Sequence, residues 1–235
     1  MKHTPSNAKL CLKGGIYMTF DKDIEFMLSK FSHEIRNPLT TLYSTVQLIE
    51  MKHPEVKEFK HWSSLAYDIE YINQLLDEFS NFAKSERLNL APIEMRPFLE
   101  HLSLSFAASI AQTEVEYISK IDPYISQITG DKTKLQEVFL NLLKNAFEAA
   151  KPNSTVRLTA FSKNGKVIIK VQDTGCGISE EQLPTIFDPF VTYKKDGTGL
   201  GLAICDHIIK AHGGTISVES ELGVGTTFCV TLDAE

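Results

Sequence analysis

Four short segments carry residue types that could do chemistry, and they follow one another in a set order. The first is Phe31-Ser32-His33-Glu34-Ile35-Arg36-Asn37-Pro38-Leu39. It sets an imidazole beside a carboxylate. An exposed histidine with a pKa near ~6.5 is mostly neutral around pH 7 and can act as a nucleophile. Glu34 can hold the proton on the other ring nitrogen and stabilise the cation formed during attack. Asn37 is four residues on, shares the His33 face, and can bond a phosphoryl group or orient a water. Pro38 removes a backbone donor and frees the Glu34 carbonyl, so a local bend is expected there. A lone surface histidine is ordinarily just a solvated side chain. A mid-helix proline costs about 3 kcal/mol, so something else favours this arrangement.

The other three segments can build a site for a magnesium-bound nucleotide. Asn141-Leu142-Leu143-Lys144-Asn145-Ala146 lies in a helical stretch over 131–150. Asn141 and Asn145 share a face there, which Glu137 continues and Lys144 borders. Asparagine carbonyls suit a hard cation that also binds phosphates, and a lysine beside them can neutralise phosphate charge. Asn145 is the expected magnesium ligand, with Glu137 or Asn141 as alternatives. Asp173-Thr174-Gly175-Cys176-Gly177-Ile178 follows an apolar strand. A carboxylate at a strand end can accept a hydrogen bond from an exocyclic amine such as adenine N6. Gly175 and Gly177 would let the backbone approach a planar ring, next to Ile178. Gly197-Thr198-Gly199-Leu200-Gly201-Leu202 leads into a helix. Its exposed N–H groups and the helix dipole favour phosphate. It matches neither the Rossmann fingerprint nor the P-loop. Between these glycine segments, Phe187 and Phe190 can anchor a hinge. The polar stretch 191–196, with Lys194, can close as a lid.

Two kinds of element must position these groups. From residue 21 the pattern is helical, with Leu28, Ile35, Leu42 and Ile49 recurring every seven residues. That is the seam of a coiled coil or helical bundle. His53-Pro54-Glu55 reads as a turn, and a second stripe follows at Leu65, Ile69, Ile72, Leu76, Phe79 and Ala83. Two helices cannot bury both stripes alone, so a homodimeric four-helix bundle is expected. With Leu28 at position a, His33 falls at f, away from the seam. Residues 85–92 read as a linker. Beyond it, helices at 97–110, 131–150 and 199–211 alternate with strands at 115–121, 156–161, 166–171, 215–220 and 226–232. Helices on one face of a mainly antiparallel sheet make an α+β two-layer sandwich. The expected domains are a leader or linker at 1–20, a helical hairpin at 21–86 and the sandwich at 92–235.

The gross numbers exclude several classes. A net charge of −6 gives no electrostatic case for nucleic acid. The longest apolar runs fall short of the ~20 residues a membrane helix needs. Four cysteines without paired spacing read as free thiols in a reducing cytosol, so a cytoplasmic chain, or the cytosolic part of a larger membrane-bound protein, is expected.

In order and spacing, these motifs resemble those of the sensor histidine kinases of two-component systems, over about residues 21–235. Ser32 to Leu39 resembles the family's H box, Asn141 to Asn145 its N box and Asp173 to Gly177 its G1 box. Phe187-Asp188-Pro189-Phe190 resembles the F box, Gly197 to Gly201 the G2 box, and Gly223-Val224-Gly225-Thr226 the last glycine motif. The resemblance implies a dimerising phosphoacceptor domain and a Bergerat-type ATP-binding domain. It implies ATP and Mg2+, His33 as phosphate acceptor with Glu34 and Asn37, and a response-regulator receiver aspartate as the next acceptor. Asn141, Lys144 and Asn145 would serve magnesium and phosphates, and Asp173 would select adenine. Phe187, Lys194, Thr198 to Leu202 and Thr226 would complete the nucleotide site. The H-box spacing and second helix are similar to kinases of the sporulation phosphorelay. In gyrase and the Hsp90 chaperones a glutamate four residues before the magnesium asparagine activates water. Here that position is Asn141, so hydrolysis is expected to be slow. An ATP-hydrolysing machine and an inactive scaffold are the rival readings. Phosphatase activity toward the regulator is compatible with Glu34 and Asn37. The input signal, a protein inhibitor of the kinase, and transfer within or between subunits stay open.

Overall fold

The computed structural model describes residues 9–12, 16–19, 22–83, 87–194 and 197–235, with side chains from Ser32 onward except those of His33 and Ala83. The chain divides into two compact units, Met1–Lys84 and Ser85–Glu235. No helix among the described residues is long and apolar enough to cross a membrane.

The first unit opens with strands β1 (Lys9–Leu12) and β2 (Ile16–Thr19), paired antiparallel with Lys9 opposite Thr19. An irregular leader was the expectation over 1–20. The overlooked signal is Gly14-Gly15 between two short runs, a hairpin pattern too brief to show periodicity. Helix α1 (Lys22–Lys52) stays continuous through Pro38. Threonine hydroxyls back-bond the carbonyls around the proline, Thr40 to Arg36 at 2.9 Å and Thr41 to Asn37 at 3.1 Å. A 3-10 turn (Pro54–Glu58) with buried Val56 leads into α2 (Trp62–Ala83). The Trp62 indole N–H donates to Glu50 at 2.7 Å and ties the two helices at this end.

The heptad stripe divides between two faces. Ser32, Leu39 and Val46, also seven apart, are buried, as are Ile69, Leu76 and Phe82 on α2. The stripe expected to form the seam stays half-open in the single chain: Leu42 is 53% exposed, Ile49 36%, Leu65 44% and Ile72 40%. An apolar arc this wide serves two packing faces, one inside the hairpin and one outward. The Arg36 guanidinium pairs with Asp77 across the hairpin.

In the second unit a five-stranded sheet backs three helices. Strands β4 (Glu116–Ile121), β6 (Thr155–Lys163), β7 (Lys166–Asp173), β9 (Gly225–Asp233) and β8 (Thr215–Glu221) lie in that spatial order. Only the β4–β6 pair is parallel. Strands β3 (Ala91–Ile93) and β5 (Ile128–Gly130) form a small separate ladder that the sequence pattern did not reveal. Each is three residues long, below the length at which alternation is legible. The β6–β7 turn places Asn164 at φ 53° and Gly165 at φ 70°, the left-handed pair a two-residue hairpin needs. Alternate residues Val156, Leu158, Ala160 and Val167, Ile169, Val171 are buried on the side facing the helices.

Helices α3 (Met95–Ile110), α4 (Lys132–Ala149) and α5 (Gly201–Ala211) fill that layer. Leu135, Val138, Phe139, Leu142, Leu143 and Ala146 of α4 are all buried, which fixes the rotation of this helix. Its start is pinned by Asp131. One carboxylate oxygen accepts the N–H groups of Thr133 and Lys134 at 3.0 Å each, and the other accepts that of Asn89 at 2.8 Å. The Asp131 N–H donates to Nε2 of His212 at 2.9 Å, while Nδ1 of His212 bonds the Ile208 carbonyl at 2.7 Å. His212 thus couples the end of α5 to the start of α4.

Burial opposes the Asp131 charge, but the three backbone donors outweigh it and hold the carboxyl below its usual range. Its stabilisation is therefore complete above the unfolded value near ~3.9 and is lost as pH falls through the lower folded value. Asp131→Ala should cost about 1–2 kcal/mol in chemical denaturation at pH 7. Asp131→Asn should keep much of the cap while flattening the acid limb. An unchanged acid limb would exclude this account.

Candidate active site

Asp173 ends β7 opposite Thr226 of β9 and is only 3% exposed. Its carboxylate accepts the Gly175 N–H at 2.8 Å. Burial pushes its pKa up, and the N–H groups of Gly175 and Thr226 offset this only in part. The loop after it is held by close packing. The Cys176 N–H donates to the Ala149 carbonyl at the end of α4, and the Gly223 N–H donates to the Cys176 carbonyl at 2.7 Å. A Cβ at Gly175 would lie 2.2 Å from the Ala149 oxygen, and one at Gly177 (φ 68°) 2.0 Å from the Glu221 oxygen. Both glycines are thus required by the close approach of backbone to backbone. The Ile178 N–H donates to the Ser220 hydroxyl at 2.8 Å, and that hydroxyl lies 2.9 Å from the Thr226 hydroxyl.

The polar face of α4 looks outward beside this loop. Asn141 bonds the buried thiol of Cys205 on α5, whose sulfur also donates to the Val138 carbonyl at 3.7 Å. Burial drives the Cys205 pKa far upward, so the thiol stays protonated. Glu137 is paired with Lys134 at 3.3 Å. Asn145 is differently placed: its side-chain oxygen accepts the Lys194 ammonium at 2.7 Å. Lys194 also reaches Glu148 at 2.6 Å. The Asn145 oxygen is thus turned toward the lid and already meets a positive charge.

Phe187 stacks edge-on against Phe228 of β9 with ring centres 6.3 Å apart. Beyond it, Phe190 adopts φ 64°, rare for a bulky residue, and its N–H donates to the Gly199 carbonyl at 3.0 Å. A Cβ at Gly199 (φ 74°) would come within 2.6 Å of the Phe190 carbonyl carbon. The two ends of the lid are thus clasped. Tyr193 is fastened to Thr185, hydroxyl to hydroxyl, at 2.8 Å. The Thr198 hydroxyl accepts the Leu200 N–H at 3.3 Å. Leu200 is 1% exposed, so its side chain belongs to the core and only its backbone faces the loop. Gly201 has open space where a Cβ would be, and α5 starts there without a side-chain cap. Leu202 is half-buried one residue on. Uncapped N–H groups at a helix start suit phosphate.

Lid and Asp173 loop therefore meet at the C-terminal end of α4, through Lys194 and the Cys176 N–H, while α5 packs on its middle through Cys205. In the first unit, His33 lies within α1 between buried Ser32 and exposed Glu34, and Asn37 is exposed one turn on. The His33 side chain, and with it the expectation of an outward position, lies outside the described residues.

Comparison with known proteins matches this division. Residues 24–88 match the His Kinase A (phospho-acceptor) domain, and residues 130–235 match the histidine kinase-, DNA gyrase B- and HSP90-like ATPase family. The chain belongs to the sensor histidine kinases. Sporulation kinase D of Bacillus subtilis (strain 168) is 35% identical over 208 residues, covering 86% of this chain and 40% of that kinase. The structure of full-length ShkA in complex with AMPPNP is 26% identical with TM-score 0.75, covering 90% of this chain and 46% of ShkA. That of histidine kinase ThkA in complex with response regulator protein TrrA is 26% identical with TM-score 0.64, covering 89% and 61%. The chain spans roughly a third to a half of the length of the curated relatives it matches.

Three residues beside this candidate site escaped sequence reasoning. Glu148 lies three positions after Asn145 and four after Lys144, a helical spacing that could have flagged it. Cys205 and Ser220 act through contacts between distant segments and leave no local signal. Gly225 sits at φ 143°, where a Cβ would lie 2.1 Å from the Asp173 carbonyl oxygen. Gly225→Ala should cost about 2 kcal/mol or more in chemical denaturation. Wild-type stability would contradict the close packing.

Proposed function

We propose that this chain is an ATP-dependent autokinase that phosphorylates His33 and passes the phosphoryl group to a receiver aspartate of a response regulator. The observation that carries the reading is that the lid and the Asp173 loop meet at the Asn145 end of α4, with α5 packed alongside, in a chain that also matches a phosphoacceptor domain. Adenine would be read by Asp173, as a carboxylate accepting from the exocyclic amine. The triphosphate would meet the α5 N-terminus, Lys144 and Lys194. Mg2+, when bound, would neutralise phosphate charge. Asn145 would be the side chain that holds it.

His33 would attack the terminal phosphorus through a neutral ring nitrogen. A nitrogen–phosphorus bond forms, the bond to the ADP oxygen breaks, and Glu34 supports the proton on the other nitrogen. Much of the rate should come from bringing the two units together in line. Covering the outward stripe of Leu42, Ile49, Leu65 and Ile72 with a second hairpin would give the homodimeric four-helix bundle. A response regulator would dock on the hairpin near Arg36, Thr40, Tyr43 and α2. The ThkA–TrrA complex supports that class of partner.

Intact-protein mass after incubation with Mg·ATP should show one added phosphoryl group that mild acid removes. His33→Gln should bind nucleotide and gain none; a phosphoryl group persisting in that variant would refute His33 as acceptor. Asp173 must be ionised to accept from adenine, and burial raises its pKa. Adenine nucleotide affinity should therefore fall as pH drops through a value above the usual carboxylate range. Asp173→Asn should bind weakly at every pH. A titration showing unchanged affinity over that range would remove Asp173 from the role.

A further inference from the structure

Glu148 faces two ammonium groups on the site face of α4. One carboxylate oxygen lies 2.6 Å from the Lys194 nitrogen of the lid, and the other lies 3.9 Å from that of Lys144. The same Lys194 nitrogen sits 2.7 Å from the side-chain oxygen of Asn145. A single lid cation is therefore shared by a carbonyl oxygen and a carboxylate, at the oxygen the nucleotide's own cation would need. We propose that Glu148 is a positioning residue that latches the lid through Lys194 until nucleotide displaces it. The inference rests on the nucleotide site described above.

The physical logic is partner exchange. A divalent cation at the Asn145 oxygen would repel an ammonium a few ångströms away, so the two occupants exclude each other. Phosphate oxygens arriving with the cation offer Lys194 a more highly charged partner than Glu148. The lid then has two states, docked on α4 or turned to the nucleotide, and the ligand selects the second. The latch must be weak to be useful. Lys194 is 49% exposed and Glu148 38%, so solvent and salt screen the pair. A strength of roughly two- to fivefold in the lid equilibrium is expected for such a pair. A much tighter latch would reduce apparent nucleotide affinity by the same factor. The simpler role for Glu148 is a helical pair with Lys144 that leaves the lid unaffected.

Limited trypsin digestion of the full chain separates the two roles, because Lys194 and Lys195 lie in the lid. Without nucleotide, Glu148→Gln should raise the rate of cleavage there by roughly two- to fivefold at low salt. The difference should shrink at high salt and vanish with saturating Mg·AMPPNP. Titration of Mg·AMPPNP into wild type, Glu148→Gln, Lys194→Met and the double variant completes a cycle. Loss of Glu148 should tighten binding when Lys194 is present and have little effect when it is absent. Equal cleavage rates would overturn the latch, and so would a Glu148 effect undiminished by loss of Lys194, which marks a plain charge effect. If the wild type fails to bind Mg·AMPPNP, the nucleotide site itself is wrong, while the nucleotide-free digestion still judges the latch.

Discussion

The whole site depends on the fixed rotation of α4. Its buried stripe, from Leu135 to Ala146, leaves one orientation against the sheet. Close-packed cores do not tolerate partial rotations, so the opposite face is equally determined. Asn141, Lys144, Asn145 and Glu148 emerge together only because the apolar positions are satisfied behind them. Asp131 at the start and the Ala149 carbonyl at the end then set where along the helix these groups appear.

Around this helix the chain relies on close backbone contact at its glycines. Gly175, Gly177, Gly199 and Gly225 all lie where a Cβ would strike the backbone of another segment. Tight backbone junctions cannot be loosened by side-chain motion, so they hold Asp173 and the ends of the lid in place. Among the described residues the lid between them is fastened by exposed groups, Lys194 on α4 and Tyr193 on Thr185. A rigid frame with a weakly held flap is what a site needs when its substrate must enter, be screened from water and leave.

The hairpin unit follows a different economy. It buries one stripe within itself and leaves a second apolar stripe outward. A monomer with that much exposed leucine and isoleucine has an unsatisfied face, and the symmetric solution covers both copies at once. The same division separates structure from chemistry on α1, since Ser32 faces inward while Glu34 and Asn37 stay open.

The long periodic elements were legible in the amino-acid order. Both hairpin helices, α4, α5 and the β6–β7 and β8–β9 hairpins follow from spacing and turn residues, because local patterning over ten or more residues reports one dominant packing face. The candidate site residues could be singled out by type too, since asparagines one turn apart and alternating glycines have few uses. Short elements such as β1–β2 and β3–β5 carried too few residues to show a period. Which of two heptad stripes closes the hairpin, which oxygen Lys194 claims, and why Asn141 is held by Cys205 were decided only in three dimensions. Each depends on segments dozens of residues apart meeting at a few ångströms, and no local pattern encodes the partner of a contact that folding alone brings together.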